Sequence, residues 1–359
     1  MVGHASTDTS RSLKIIHSGY LPLLPKGAGF FGTAFKISNG LTRVGCNVLD
    51  FSDRDIARAS SIFRNRKLGY PGANRRLLEV AKEFLPDLIL FGHADTIRPG
   101  TLEELREALP GVKLAQWNVD PLFEEDNVDR IKSKIGLVDH TFVTTAGPML
   151  EKLGEAKYPV SFMPNLVDPS IERFRNFTKQ GDELPIDLFY AAGNPLQPRS
   201  HGGTYGTTEE LIQKIQENCP EIRFETPGCG SPIISRKNYE LALMRSSMGL
   251  NISRRNDVHL YSSDRIAHIV GNGILAFVDR ATGYADFFGE DGFGFYSTEE
   301  ELFDKVKFFK SHDLARQQTA RKGWEAYHRE FDCRIVTEYM IDRILGNDIS
   351  PDIRWAETY

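Results

Sequence analysis

"YSSDRIAHIVGNGILAFVDRATGYADFF", residues 261–288, is the stretch on which the fold turns. It holds a polar helix start (Ser262, Ser263, Asp264), a short helix with Arg265 and His268, a break at Gly271 and Gly273, the apolar run ILAFVD, and a turn at Thr282 and Gly283. A helix that returns through glycine into a short buried strand is one unit of a parallel α/β sheet. Ser, Ser and Asp ahead of the helix predict a cap whose first N–H groups point outward and can receive a phosphate.

The same alternation fills the chain on either side. LKIIH (13–17), VGCNVLDF (44–51), DLILF (87–91), VKLAQW (112–117), HTFVTT (140–145) and PVSFMP (159–164) are short apolar or β-branched runs, separated by helical patterns such as RRLLEVAKEFL and TLEELREAL. After a polar stretch, SIERFRNFTKQGDELP, strands resume with IDLFYAAG, IRFETPG, MGLNIS and ILAFVD. The pattern predicts an α/β protein of two Rossmann-like parallel-sheet lobes facing a central cleft. The first lobe is placed at 1–165, a linker at 166–185 and the second lobe at 186–330, with a C-terminal helix and tail at 331–359 crossing back to brace the first lobe. Open parallel sheets bind ligands at the carboxyl ends of their strands, so the loops there are where chemistry is sought.

Composition narrows the partners. The chain has 359 residues, of which 40% are hydrophobic, enough for two cores, and its net charge of −5 gives no global attraction for nucleic acid. Four scattered cysteines without a C-x-x-C pair argue against a zinc site or a disulfide framework. The polar N-terminus lacks an apolar signal core, and no apolar run approaches the roughly 20 residues that span a bilayer. These features predict a cytoplasmic protein, in peripheral contact with the inner face of a membrane where local basic patches allow it.

Two motifs imitate known sites. GAGFFG (27–32) matches G-x-G-x-x-G, and Asp50 ends the next strand where a dinucleotide fold places its ribose acid. In that fold the first glycine directly follows the strand, whereas SGYLPLLPK lies between His17 and Gly27. An NAD(P)-dependent oxidoreductase is the alternative that rests on this motif; the preferred assignment makes Gly27 and Gly29 part of a flexible loop on the acceptor side. SDRD (52–55) has the D-x-D spacing of a cation site, but Ser52 and Asp53 stand where a helix begins, so capping accounts for them and no essential metal is expected.

The run from SSDRIAHIVGNGILAFVD through TGYADFFGEDGFGFYSTEEEL resembles the nucleotide-sugar segment of the GT-B glycosyltransferases, in particular the group-1 and spore-maturation (CgeB-like) families. QWNVDPLF is similar to the W-x-x-D-P segment of that group, and TTAGPMLEKL with PVSFMPNLVDP to its passage into the second lobe. The resemblance implies a metal-independent glycosyltransferase that needs no cofactor, takes a nucleotide-sugar donor in the C-terminal lobe, and serves a bacterial surface glycan or glycolipid as acceptor. It implies donor contacts from Gly193 and from Arg199 in the loop NPLQPRSHGGTYG, and from Ser262, Ser263, Asp264, Arg265, His268, Gly273, Thr282 and Gly283. One departure stands out: the glutamate of the pattern R-x-x-E-x-x-x-x-G is His268 here, and Leu260 replaces the first member of the E-x7-E pair.

An imidazole at that place can donate a proton to a departing phosphate. That would suit a CMP-activated keto-sugar acid (Kdo-type) donor as well as a diphosphate. An acceptor base is sought on the loops after the third and fourth strands, where Asp120, Asp95 and His93 lie. Arg64, Arg66 and Lys67, in an acid-free run, are candidates to meet an anionic acceptor or a membrane surface. A non-catalytic two-lobe sugar or nucleotide binder would share the cleft without needing these side chains.

Overall fold

The computed structural model describes residues 12–23, 29–154, 158–234 and 236–357. Two parallel sheets organise the chain. The first contains β1 (Lys14–Gly19), β2 (Asn47–Ser52), β3 (Leu88–Gly92), β4 (Lys113–Asn118), β5 (His140–Val143) and β6 (Val160–Phe162), in the spatial order β2-β1-β3-β4-β5-β6. The second contains β7 (Ile186–Phe189), then, after a two-stranded hairpin of β8 (Pro198–His201) and β9 (Thr204–Thr207), β10 (Phe224–Glu225), β11 (Ser246–Asn251), β12 (Leu275–Asp279) and β13 (Gly294–Tyr296), in the order β10-β7-β11-β12-β13. Helices cover these sheets, so β3 (LILFG) and β12 (LAFVD) are buried at every residue. This is why such strands read as unbroken apolar runs rather than alternating ones.

Strand order decides where a ligand can sit. In the first sheet the direction of winding reverses between β1 and β3, and in the second between β7 and β11. At each reversal the flanking loops part and leave a crevice at the carboxyl ends of the strands. The carboxyl ends of the two sheets meet, as loops after β4 and β5 touch the segment after β11: Phe123 meets Tyr261 edge-on at 5.2 Å, and the Ala146 amide donates to the His259 carbonyl at 3.2 Å.

The chain passes between the lobes twice, side by side. Val167 and Asp332 form an isolated parallel bridge, with Val167 N–H donating to Phe331 O at 2.9 Å and Cys333 N–H to Val167 O at 2.8 Å. Beyond the bridge, helix Cys333–Leu345 lies on helix Thr33–Arg43 of the first lobe. A Cβ at Gly40 would overlap the Cys333 carbonyl, so glycine is what lets the two backbones approach. Gly40→Ala is expected to cost about 1–3 kcal/mol by overpacking, measured by urea denaturation.

The polar stretch read as a linker is not a solvated tether. Asp168, Glu172 and Asn176 are each fully buried, and Asn176 Nδ2 donates to Leu243 O at 2.8 Å and Ser246 O at 2.7 Å. Its polarity serves partners in the interior. NPLQPRSHGGTYG, expected as a loop, supplies most of the β8–β9 hairpin: Gly202 and Gly203 both have positive φ, the backbone that a two-residue hairpin turn requires.

Candidate active site

Arg265 marks the second lobe's reversal point. It opens helix Arg265–Gly271, and its guanidinium donates to Ile252 O after β11 (3.1 Å) and to Ala191 O after β7 (3.2 Å), while lying 4.6 Å over the Tyr190 ring. The cation is thus fixed at the carboxyl ends of both strands. Arg199 comes in from β8: burial pushes its pKa down, Tyr190 opposes that, and the neighbouring Arg265 and Arg254 push it down further. Guanidinium does not deprotonate in proteins, so the strain expresses itself as demand for an anion. Arg199 Nε, Tyr190 Oη and Ser253 Oγ are buried with no hydrogen-bond partner among the described residues. Buried donors are normally satisfied, and a phosphate group beside Arg265 would satisfy these.

Across the cleft, Arg254 forms an ion pair with Glu124 of the first lobe at 2.5 Å, and Arg255 stacks over Phe123 at 5.5 Å. The Tyr261 hydroxyl, pushed up to about 12 by burial, senses Arg254 and Arg199 from its own lobe and Asp120 from the other.

The three base candidates separate by their partners. Asp95 is paired with Arg54 at 3.0 Å and Arg66 at 3.7 Å. His93 has φ +53, a left-handed backbone uncommon for a side-chain-bearing residue, and its Nε2 accepts the Val119 N–H at 3.3 Å. That bond occupies the ring's lone pair and puts the proton on Nδ1, 3.6 Å from Asp120 Oδ2. Burial lowers the His93 pKa despite Asp120, whose carboxylate lies 3.6 Å from Nδ1, beyond hydrogen-bond range. Asp120, its side chain 47% exposed, accepts from Arg130 at 2.9 Å. The sequence puts Asp120 and Asp95 first as bases with His93 behind them; of the two carboxylates Asp120 is the more exposed, 47% against 20%.

His268 does not line the cleft as a free proton donor. It is 6% exposed, its Nδ1 lies 2.9 Å from Glu172 and its Nε2 3.2 Å from Asp264, with the Phe31 and Tyr239 rings edge-on to it. Lys36 of the first lobe, also fully buried, reaches Glu172 at 2.7 Å, Asp264 at 3.3 Å and Leu166 O at 3.2 Å. Burial and Lys36 push the imidazole pKa down; Asp264 and Glu172 more than reverse this and raise it. Burial alone would raise Asp264, but Lys36 and His268 hold it well below the usual carboxylate range. Two cations and two anions make a cross-lobe cluster, so both His268 and Asp264 are corrected from donor contacts to anchors of the lobe junction. Lys36 and Glu172 escaped sequence analysis; the one signal was a lysine on the apolar face of FGTAFKISNGL.

Other expected donor residues divide. Ser262 is buried and bonded to Asn251 at 2.9 Å, so it does not reach a ligand. Asp264 is the N-cap but makes no side-chain cap bond, and the Ile266 N–H is taken by Ser263 O at 3.1 Å, which corrects the expectation of a capped helix start with free amides. Ser263 is half-buried and accepts from Arg265 at 3.2 Å. Gly273 precedes β12 at its amino end, with φ +70 and its α-carbon against Phe177; it is a turn residue on the side remote from the cleft. Thr282 and Gly283 follow β12 and brace the segment before Arg265, Thr282 O accepting from Leu260 N–H at 2.8 Å. Gly193 is exposed on the loop after β7.

On the acceptor side, Gly27 lies outside the described residues. Gly29 abuts Arg236 of the second lobe, whose guanidinium a Cβ would overlap. β1 ends at Gly19, far ahead of this turn, and Asp50 accepts a hydrogen bond from Ser38 at 2.5 Å, so GAGFFG lacks the strand-to-turn context of a dinucleotide loop. Ser52 makes no cap bond either: Asp53 is buried and accepts from Thr96, while Asp55 pairs with Arg58 at 2.9 Å. Among the described residues no group of three or more His, Cys, Asp or Glu side chains is arranged to hold a metal ion.

Comparisons with known proteins bear on this geometry. Residues 199–342 match the family described as glycosyl transferase-like. No curated protein matches the sequence at a significant level. Among solved structures, a UDP-forming α,α-trehalose-phosphate synthase from Burkholderia xenovorans superposes with TM-score 0.56 at 12% identity, covering 94% of this chain and 99% of its own. HepE from Anabaena, in complex with UDP and glucose, gives TM-score 0.54 at 11% identity over 93% of this chain and 100% of its own. A Listeria monocytogenes protein designated UDP-N-acetylglucosamine 2-epimerase gives 0.51 at 13% identity, covering 95% and 98%. Residues 199–342 match the glycosyl transferase-like family model, and the chain as a whole shares the two-lobed fold of these solved structures.

Proposed function

We propose that this enzyme moves a glycosyl group from a nucleoside-diphosphate sugar, held in the C-terminal lobe, to a hydroxyl of a surface glycan or glycolipid in the N-terminal lobe. The observation that carries it is the trio Arg199, Arg254 and Arg265 with buried donors lacking partners at the β7/β11 reversal. Such a concentration of positive charge suits two phosphates, and it supplies the leaving-group stabilisation that a bound cation gives elsewhere, so the reaction is read as metal-independent. The bound UDP and glucose of HepE favour a donor of that kind. Kdo-type transfer from CMP loses its basis here, because both nitrogens of His268 are engaged.

In the proposed step the acceptor oxygen bonds to the anomeric carbon, the bond from that carbon to the diphosphate oxygen breaks, and the diphosphate leaves with the electron pair. Asp120 takes the acceptor proton as the configuration inverts. A cytoplasmic place in bacterial surface-glycan assembly, and kinship with the CgeB-like group, belong to the same proposal; among the described residues no helix is long and apolar enough to cross a membrane.

A thermal-shift panel of UDP, GDP, ADP, TDP and CMP tests the donor class, since a ligand of the folded form raises Tm. One diphosphate should stand out; a response to CMP alone would refute the diphosphate assignment. Asp120→Asn is expected to lower kcat about a hundredfold while leaving that nucleotide shift intact. Unchanged turnover would remove Asp120 as base, and epimerisation of the free nucleotide sugar without an acceptor would replace transfer by another chemistry of the same fold.

A further inference from the structure

A cavity of about 810 Å³ opens in the first lobe beside the edge strand β2. Its walls are mainly apolar, with Leu21, Phe35, Ile56 and Ala59 among them, and Leu23, Ile62 and Arg64 also line it. Leu23 is 73% exposed, Ile62 98%, Phe63 81% and Leu68 63%. Scattered exposed apolar residues are ordinary, but Leu23 and Ile62 both line this opening, and Ile62, Phe63 and Leu68 fall within seven residues of sequence.

The segment 61–68, SIFRNRKL, is a built turn. The Arg64 N–H donates to Ser61 O at 2.8 Å with Arg64 in the left-handed region at φ +51, Asn65 Oδ1 accepts from Lys67 N–H at 2.9 Å, and Gly69 N–H closes on Arg66 O at 3.1 Å. The strained residue stands at the tip, where Ile62 and Phe63 are held out into solvent. Arg64 and Lys67 have no acidic partner in ion-pair range among the described residues, whereas Arg66 turns inward to Asp95 and ties the loop to the rim of the cleft.

We propose that this loop and Leu23 form a docking surface for an anionic lipid bilayer. Ile62, Phe63 and Leu68 enter the boundary between headgroups and acyl chains while Arg64 and Lys67 meet lipid phosphates. Charge selects this occupant: an apolar tip flanked by unpaired cations complements a surface that is apolar below and negative above, and it stands out on a chain of net charge −5. The proposal deepens the acceptor assignment above and rests on it in one respect, that a lipid-borne acceptor would be found at such a bilayer.

Co-sedimentation of the full chain with phosphatidylcholine vesicles, with and without phosphatidylglycerol, provides the test. The protein should pellet with the anionic vesicles, less so at high salt, and Ile62→Asn with Phe63→Asn should weaken binding about tenfold while preserving the nucleotide thermal shift that reports a folded second lobe. Equal pelleting of the variant, or none by the wild type, would overturn the proposal. A concentration-dependent dimer that the variant loses, without vesicle binding, would do the same and name a second copy as occupant. Vesicle binding together with failure of every nucleotide to shift Tm would uphold the surface and bring down the donor assignment alone.

Discussion

Arg265→Ala is expected to lower kcat/KM about a thousandfold and to abolish the Tm shift produced by the donor nucleotide. Removing one preorganised donor to developing charge costs roughly a hundred- to a thousandfold in rate, and Arg265 does more than one such donor. Its side chain also spans Ala191 O and Ile252 O, so it sets the opening between β7 and β11 as well as charging it. Arg265→Lys separates the two roles. Lysine keeps the charge but presents a compact ammonium that cannot bridge two carbonyls and stack on Tyr190 at once. The lysine variant should therefore recover part of the nucleotide shift and little of the rate. Full recovery of both would mean that a point charge suffices, and wild-type activity in Arg265→Ala would move the phosphate site elsewhere.

How far the sequence discloses this site depends on the distance over which each residue finds its partners. The strands from LKIIH to ILAFVD are legible because burial on both faces leaves an apolar run, and Arg265 is legible because it sits just after a polar cluster at the carboxyl side of a strand. Gly273 is expected among the donor contacts, although its place before ILAFVD locates it at the amino end of β12, away from the ligand side. The short strand β13 and the hairpin β8–β9 carry weaker signals, the second only adjacent glycines between His201 and Thr204. The capped helix start failed for a different reason. A local rule gave Asp264 to its own helix, while Lys36, 228 positions away, draws its carboxylate into the lobe junction. Likewise Glu172 sits in a stretch whose charge reads as solvent-facing, and only the tertiary fold buries it. Arg254, adjacent to a strand end yet paired with Glu124 of the other lobe, carries no motif at all.

That same junction predicts the largest change in stability. Lys36→Met should destabilise the protein by about 3–5 kcal/mol, the cost of removing one partner from a buried ionic cluster and leaving the other charges uncompensated. Lys36 and Glu172 are both fully buried, so water does not screen the loss. Adding Glu172→Gln to Lys36→Met should recover part of it, since an unpaired carboxylate costs more in the interior than a neutral amide. The pH dependence gives an independent check. The folded pKa of His268 lies above its unfolded value near 6.5. Its contribution is then fully present below about pH 6.5 and is lost as pH rises through the folded pKa. Lys36 holds that pKa down, so without the ammonium it climbs further and the protonated imidazole takes over more of the balance against Glu172 and Asp264. The deficit of Lys36→Met should accordingly be smallest in mild acid and widen toward alkaline pH, as urea denaturation across that range would register. A deficit independent of pH would mean that Lys36 acts through packing of its stem and not through its charge.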